Sequence, residues 1–350
     1  MRLGLLPAQD ELRRAAERAL AGAVDAEALA IRQAPEGDPA SGLPGLVEEA
    51  RRSEEPLIAA ALVAEAAGLA FAPVSPRPAL LASWIAARPR PELGAVDPLR
   101  TVLGLPGDGT ADDIPSATPG SQGGAAGDWS LEGEFVLLED APGAASLLTV
   151  ARTPDGAGLF LVPLAQPGAE RPARDRLDPT RPAFGLALSG ASARRLADAP
   201  ATAALLPEIE SLGRLLAAAE SLGISALLLR LVTDYAKRRT QFGTVIGSFQ
   251  AVSHACADIA CEVELLRSLV YATAASPLAS GAPDRAMAAR AKALAAETGP
   301  KVANRALQLF GGEGLTWGRG LHFALRRQQA LRLAFGTSER CYDEVSEVLA

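Results

Sequence analysis

Asp234 to Gln250 reads DYAKRRTQFGTVIGSFQ, and the reading of this stretch decides the fold. Upstream of it, apolar residues stand at Ile224, Leu227, Leu228, Leu231 and Tyr235. That i, i+3, i+4, i+7, i+11 spacing belongs to a helix with one buried face. Lys237, Arg238 and Arg239 then place cations at the helix end, where the macrodipole favours positive charge. Thr240, Gln241, Phe242 and Gly243 break the helix, and a second is expected from near Ser248. Taken by itself, the stretch is a helical hairpin with a cationic corner.

The bulk composition narrows what surrounds it. The chain has 350 residues, 49% of them apolar but only 4% aromatic. A chain so rich in Ala and Leu is expected to be mostly helical, with a large core divided over about two or three subdomains. A formal charge of −7 without a long basic tract argues against nucleic acid or a membrane surface as partner. An anionic ligand therefore has to be held by a local cluster. Cys256, Cys261 and Cys341 have neither metal-ligand spacing nor the look of a disulfide framework, so no metal is expected. Cys256 and Cys261 lie in one apolar helical pattern and read as buried thiols in a reducing compartment. No signal peptide precedes the helix expected near Ala8. The apolar run Pro56 to Val74 is interrupted by Glu65 and Gly68, which suits a core helix better than a membrane span. A cytoplasmic location is the expectation.

Three regions follow from the change of period along the chain. Residues 1–95 read as a helical domain, with helices at Ala8–Ala21, Leu46–Arg52 and Pro56–Leu69, the last with Pro at its first turn. Residues 96–195 read as a middle β domain. Its 104–127 segment, DGTADDIPSATPGSQGGAAGD at its centre, reads as a flexible loop. Beyond it FVLLED, SLLTVAR, GLFLVPL and FGLALSG are short β-rich runs, separated by turn signals that suggest a small antiparallel sheet or barrel. Residues 196–350 return to helix: Leu212–Lys237, Ser248–Ala274, Asp284–Glu297 and, after a Gly299-Pro300 boundary, Val302–Phe310. Hairpins of such lengths imply a four-helix bundle.

The wording of the corner resembles the signature of the flavin-dependent acyl-CoA dehydrogenases, in which a Tyr-containing helix ends in Arg-x-Gln-Phe-Gly. The family continues with Ile, Phe-Gln and His, matched by Ile246, Phe249, Gln250 and His254. A second signature is Gln308-Leu-Phe-Gly311-Gly312-Glu-Gly314. A third, LTWGRGLHFALRRQQALRLAFGTSE, is similar to a bacterial subgroup with Thr-Trp-Glu-His…Leu-His-x-x-x-Arg-Arg that acts on bulky acyl groups such as steroid side chains. Thr316, Trp317, His322, Arg326 and Arg327 match it, while Gly318 and Arg319 replace the Glu-His pair. The resemblance covers nearly the whole chain. It implies a mainly α fold with a central β domain between an N-terminal helical domain and a C-terminal four-helix bundle.

What the resemblance implies about chemistry is uneven. It assigns Arg239, Gln241, Phe242, Gln308, Gly311, Gly312 and Thr337 to FAD, with Arg239 opposite the pyrophosphate, where a guanidinium fork suits the charge. In the family the corner and the glycine turn reach across a subunit interface to a neighbour's FAD. Other features are missing. The segment 104–127 has no Thr-Glu-Pro…Gly-Ser-Asp motif, and the flavin-facing strand carries Phe135, Val136, Leu137 and Leu138. The reaction removes a proton α to a thioester while a hydride passes to the flavin, so it needs a carboxylate base. At the family's two base positions stand Phe335, before Gly336 and Thr337, and Gly213. Glu220, with Glu210 and Glu208 nearby, is a weak substitute, and Glu210 is the other residue that could serve as a displaced base.

The expected function is therefore a subunit of an FAD-dependent acyl-CoA dehydrogenase for α,β-dehydrogenation of acyl-CoA thioesters. It would be the non-catalytic partner that completes the FAD site of a heterotetramer, in steroid or other bulky acyl catabolism. Its implied partners are an acyl-CoA, a second dehydrogenase subunit and an electron-transfer flavoprotein or similar acceptor. Two alternatives stay open: a self-sufficient homotetrameric dehydrogenase with a displaced Glu, and a scaffold that has lost flavin.

Overall fold

A computed structural model describes residues 7–20, 24–25, 28–31, 42–105, 114–119, 128–139, 143–172, 174–175 and 177–349. In chain order the elements begin with α1 (Pro7–Leu20), β1 (Val24–Asp25), β2 (Ala28–Ile31), α2 (Leu43–Arg52), α3 (Pro56–Leu69) and α4 (Arg77–Ala86). Strands follow: β3 (Thr101–Gly104), β4 (Ser116–Pro119), β5 (Asp128–Glu139), β6 (Ser146–Thr153), β7 (Gly156–Pro163), β8 (Ala169–Glu170) and β9 (Ala183–Ala197). The chain ends with α5 (Ala199–Arg238), β10 (Thr240–Gln241), β11 (Thr244–Val245), α6 (Gln250–Ala274), α7 (Arg285–Phe310), α8 (Leu321–Leu333) and α9 (Ser338–Leu349). These elements make two compact units. One contains Met1–Pro73, Arg214–Leu333 and Thr337–Ala350; the other contains Val74–Gly213 and Ala334–Gly336.

The first unit is helical, and α3 is its most deeply buried helix. Every residue from Leu57 to Gly68 is buried, including Glu65. A helix apolar on all sides has to be enclosed, and here small residues allow the enclosure to be tight. A Cβ on Gly68 would stand 2.2 Å from the Glu220 carbonyl oxygen, and one on Gly223 only 2.0 Å from that of Glu65. So α3 and α5 cross backbone to backbone. The buried Glu65 carboxylate is met from α6 by Arg267 and by the Tyr271 hydroxyl, which gives the charge both a counter-ion and a hydrogen bond.

The second unit holds the sheet. Its strands run β3-β6-β4-β5-β9-β7, β7 pairs back to β6, and β8 adds to β9. The path from β6 through β4, β5, β9 and β7 thus closes on itself, while β3 extends from β6 and β8 from β9. Leu131, Phe135, Leu147, Phe160 and Leu186 fill the interior, and Trp129 packs edge-on to Phe160 at 5.5 Å. Within this unit Arg77 is buried and clamps Glu139 with two short hydrogen bonds, the longer at 2.6 Å.

Several expectations need correction. The sheet is mixed, because β3–β6 and β4–β6 are parallel pairings. The segment 104–127 is not one loop: Gly104 ends β3, and Ser116–Pro119 is a strand paired in register with Glu132–Trp129 of β5. Positions 106–113 and 120–127 lie outside the described residues. Gly299-Pro300 is no boundary, since α7 runs through it unbroken. Gly299 is there for close packing: a Cβ would stand 2.3 Å from Oε1 of Gln328. Similarly α5 begins well before Leu212 and carries Pro207 inside it. Cys261 is exposed and Cys256 half-buried, so neither is the buried thiol expected, whereas Cys341 is buried.

Candidate functional site

The helix α5 ends where the cations accumulate, at Arg238, and the backbone N–H of Arg239 still bonds to the Tyr235 carbonyl at 2.8 Å. The chain then turns at once into a miniature hairpin, with Thr240 opposite Val245 and Gln241 opposite Thr244. Phe242 and Gly243 form its tip with φ of 51° and 80°. Two successive positive φ values are the mark of a type I′ turn, whose first position suits Asn, Asp or Gly. A Phe there is strained by roughly 1–2 kcal/mol. Its ring is also 93% exposed. The ring stands edge-on to Phe249, with centroids 6.2 Å apart.

The second turn is brought to the same place. Tyr235 stacks on Phe310 with ring centroids 4.2 Å apart and planes 16° off parallel, which ties the end of α5 to the end of α7. After Phe310 the chain leaves the helix at Gly311, with φ 61° and ψ −143°, a conformation open essentially to glycine alone. A side chain built on Gly311 or Gly312 would meet nothing within 4 Å, so this backbone is bare on its outer side. Gln308, on the last turn of α7, is exposed beside it, as is Gln241 on the hairpin.

Glu313 joins the two turns. Its Oε1 lies 3.3 Å from Nη1 of Arg239 and its Oε2 3.1 Å from Nη2 of Arg319. The result is a shared carboxylate between two guanidiniums, at the edge of the bare glycine turn. Around it the surface is apolar: Phe242, Val245 and Phe249 on one side of the sequence, Leu315 and Trp317 on the other, with Trp317 69% exposed. Trp317 sits edge-on to His322 and Phe323, each 5.3 Å away. Burial and the neighbouring Arg326 cation push the His322 pKa down, so its imidazole is neutral and serves packing. Arg327, the other half of the Arg-Arg pair, is buried, with its guanidinium 3.9 Å from the Phe71 ring and bonded to the Ala72 carbonyl. A surface of this kind offers positive charge, bare backbone and aromatic faces to a ligand that is both anionic and flat.

The two positions at which the resemblance sets a base are occupied otherwise. A Cβ on Gly213 would stand 2.3 Å from Cε1 of Phe335, with further ring atoms at 2.4 and 2.6 Å. Phe335 is buried with a φ of 57°, and Gly336 follows at 104°. Thus two positions far apart in sequence are one place in space, and an aromatic ring fills it. Glu220 is fully buried, Glu210 is nearly so, and Glu208 is paired with Arg88 at 2.8 Å. Thr337 serves α9: its hydroxyl accepts from the Arg340 N–H at 3.4 Å. Val136 of β5 is exposed while Phe135 and Leu138 belong to the sheet interior. Among the described residues no group of His, Cys, Asp and Glu is arranged to hold a metal.

The sequence led to Arg239, Phe242, Gly311 and Gly312, and the structure brings their two turns together. It gave no role to Glu313 or Arg319. In the sequence Arg319 stands only as a departure from the Glu-His pattern. The signal that was available is a carboxylate set between glycines, in a turn that was expected to meet an anion.

Comparison with known proteins bears on the fold and on the C-terminal region. Residues 211–350 match the family model for the acyl-CoA dehydrogenase C-terminal domain. The curated relatives include the acyl-CoA dehydrogenase IpdE2 of Mycobacterium tuberculosis, 36% identical over 121 residues, which are 35% of this chain and 36% of that protein. The matched stretch is thus little more than a third of that relative's length. Among solved structures, a Tcur3481-Tcur3483 steroid ACAD variant superposes with a TM-score of 0.79 at 26% identity, covering 98% of this chain and 97% of the other. The ChsE4-ChsE5 complex of Mycobacterium tuberculosis gives 0.78 at 22%, covering 100% and 99%. Residues 211–350 thus match an acyl-CoA dehydrogenase C-terminal domain, and the fold along the chain's length is similar to that of the solved acyl-CoA dehydrogenases.

Proposed function

We propose that this chain is the non-catalytic subunit of an FAD-dependent acyl-CoA dehydrogenase, completing the FAD site of a catalytic partner within a heterotetramer. One observation carries the reading: the Phe335 ring on Gly213 fills the place of the base, while Arg239, Phe242 and the Gly311-Gly312 backbone stay exposed and assembled. A subunit that had lost flavin altogether would have no reason to keep a strained, exposed Phe at the tip of a hairpin.

The residues present fit FAD on the side that a neighbour would contribute. Arg239 would face the pyrophosphate, Phe242 would lie against a ring, and Gln308 and Gln241 would hydrogen-bond the cofactor's edges beside the bare glycine backbone. FAD, when bound, supplies the hydride acceptor for α,β-dehydrogenation of an acyl-CoA thioester. This chain's part is to hold charge and exclude water at the cofactor's outer face. The substrate is taken to be a bulky, steroid-type acyl-CoA and the electron acceptor an electron-transfer flavoprotein or similar. The likeness to the steroid dehydrogenase and ChsE4-ChsE5 structures supports both the acyl class and the heteromeric assembly.

The test is the visible spectrum of the chain purified alone and after co-expression with a second family member. A colourless chain that becomes part of a yellow, active complex supports the proposal. About one FAD per chain in the protein alone would establish the self-sufficient enzyme instead, and no flavin in either preparation would leave the scaffold.

A further inference from the structure

A buried polar knot joins three helices of the first unit. Gln328 of α8 is buried, as are Ser221 and Ser225 of α5. The Gln328 Oε1 accepts from the Ser221 hydroxyl at 2.7 Å. Its Nε2 donates to the Ser221 carbonyl at 3.0 Å and to the Ser225 hydroxyl oxygen at 3.2 Å. Both amide protons and the amide oxygen are thus used. The amide head lies against bare backbone of α7: a Cβ on Gly299 would stand 2.3 Å from its Oε1 and 2.7 Å from the Ser221 hydroxyl. Gly299 is the only glycine in α7. One turn away on either side stand Ala295 and Ala303, both buried.

The rest of the α7 surface says little about where α8 should lie along it. Most residues that α7 buries are alanines, whose methyl groups make shallow ridges that repeat from turn to turn. Lys292 also reaches α8, with its Nζ 2.8 Å from the Arg332 carbonyl, but a flexible stem meeting a backbone oxygen specifies no side chain. A buried amide is different, because any hydrogen bond it fails to make is a free-energy loss. We infer that Gln328 sets the register of α8 against α5 and α7, and that it thereby positions the turn carrying Gly311, Gly312 and Glu313. That turn leaves α7 at Phe310 and enters α8 at Leu321. A slip of α8 by one helical turn, about 5.4 Å, would press the Gln328 head onto the Cβ of Ala295 or Ala303, where Gly299 alone admits it. The slip would also drag the 311–320 connection and carry Glu313 away from Arg239, which it meets at 3.3 Å. In coiled coils a single buried polar side chain fixes register in this way at a cost in stability. The consequence for flavin rests on the proposed function; the register does not.

The experiment removes the knot whole. Gln328→Met, Ser221→Ala and Ser225→Ala are combined in the full-length chain, so that no member is left buried without its partners. Spin labels at Asn304→Cys on α7 and Leu333→Cys on α8, both exposed positions, report the distance between the helices by electron–electron double resonance. Cys256→Ser and Cys261→Ser keep the labels to those two sites. The labelled parent should show a single distance. In the triple variant the melting temperature should equal or exceed the parent's, while the distance shifts by about 5 Å or splits in two. Gly299→Ala, which drives the amide out with its partners intact, should give the same shift with a lower melting temperature. An unchanged single distance in the triple variant would overturn the inference. So would a triple variant that melts far below the parent or does not fold, since the knot would then be a source of stability and not of register. Flavin in the co-expressed complex is read separately, and the triple variant should lose it. Full retention by a shifted variant would show that the register does not position the turn. A shifted distance in a chain whose wild-type complex holds no FAD would keep the register and remove the proposed function.

Discussion

Phe335 packs its ring against the Cα of Gly213, so closely that even a methyl group at 213 would overlap it by more than an ångström of normal contact. The two residues therefore act as one unit, and a double-mutant cycle should show it. Alanine normally stabilises a helix over glycine by about 1 kcal/mol. Here Gly213→Ala is expected to destabilise by about 1–3 kcal/mol, because the buried ring has nowhere to go. In a Phe335→Ala background, itself destabilised by about 3–5 kcal/mol, the same change should become neutral or stabilising. Urea denaturation of the single and double variants measures the coupling. Additive values would mean that the ring is not held by Gly213.

Phe242 sets stability against function. Asn tolerates the left-handed conformation that Phe242 adopts at φ 51°, and the exposed ring makes little packing to lose. Phe242→Asn should thus raise the stability of the isolated chain by about 0.5–1 kcal/mol. In the co-expressed complex the same change should weaken flavin binding by roughly tenfold, through loss of an aromatic contact worth about 1–1.5 kcal/mol. Thermal melts and flavin dissociation measured on the same preparations give both numbers. A variant that gains stability and keeps its flavin would remove Phe242 from the cofactor site.

How much of this was legible beforehand differs from element to element, for physical reasons. The corner at Arg239 could be read because a helical period, a run of cations and a Phe-Gly turn act locally and all point the same way. α3 was read to its last residue, its start fixed by Pro56 and its length by the unbroken apolar run. Pro300 misled because a helix packed along its length can lose one hydrogen bond and continue, and Gly299 answers to the Gln328 side chain rather than to the end of a helix. Ser116–Pro119 had no strand signal of its own. It is a strand because β5 and β6 lie on either side of it, which no local pattern records. The place of the base was legible as an absence, at Phe335 and Gly213. That these are the same point in space was not, since the ring's direction depends on a left-handed backbone at Phe335.

Acid should unfold the helical unit through Glu344. Its carboxylate takes two hydrogen bonds of 2.7 Å from the buried Arg214 and one of 3.0 Å from Arg285. The Arg214 hydrogen bonds, and then Arg285, hold its pKa at about 2 against an ordinary 4.5. A carboxyl whose folded pKa is depressed contributes stability that is complete above the unfolded value and is lost as pH falls towards the folded one. The loss should therefore fall between about pH 4.5 and pH 2, and amount to on the order of 2–3 kcal/mol. Glu344→Gln should lower stability at pH 7 and flatten the slope of stability against pH in that window. Glu48 has a similarly lowered pKa but is half-exposed and paired along its own helix with Arg51 and Arg52, so Glu48→Gln is expected to leave the profile nearly unchanged. A Glu344→Gln profile parallel to wild type would assign the acid transition to other carboxylates.

The absence of a base in this chain can be tested at the residues that might stand in for one. A group that takes the substrate's α-proton contributes about 10²–10⁴-fold to rate, so removing it cannot be missed. Glu208 is held by Arg88, and Glu220 is fully buried. In the active complex, Glu208→Gln, Glu210→Gln and Glu220→Gln on this chain are expected to leave turnover within about twofold of wild type. Glu220→Gln is the variant most exposed to a folding defect, so its melting temperature and flavin content are measured alongside. A fall of a hundredfold or more in kcat, with flavin content and melting temperature unchanged, would place the base in this chain and make it the catalytic subunit. If turnover survives all three substitutions, the proton has to be taken by the partner, and the ring of Phe335 on Gly213 marks a site from which catalysis has been withdrawn.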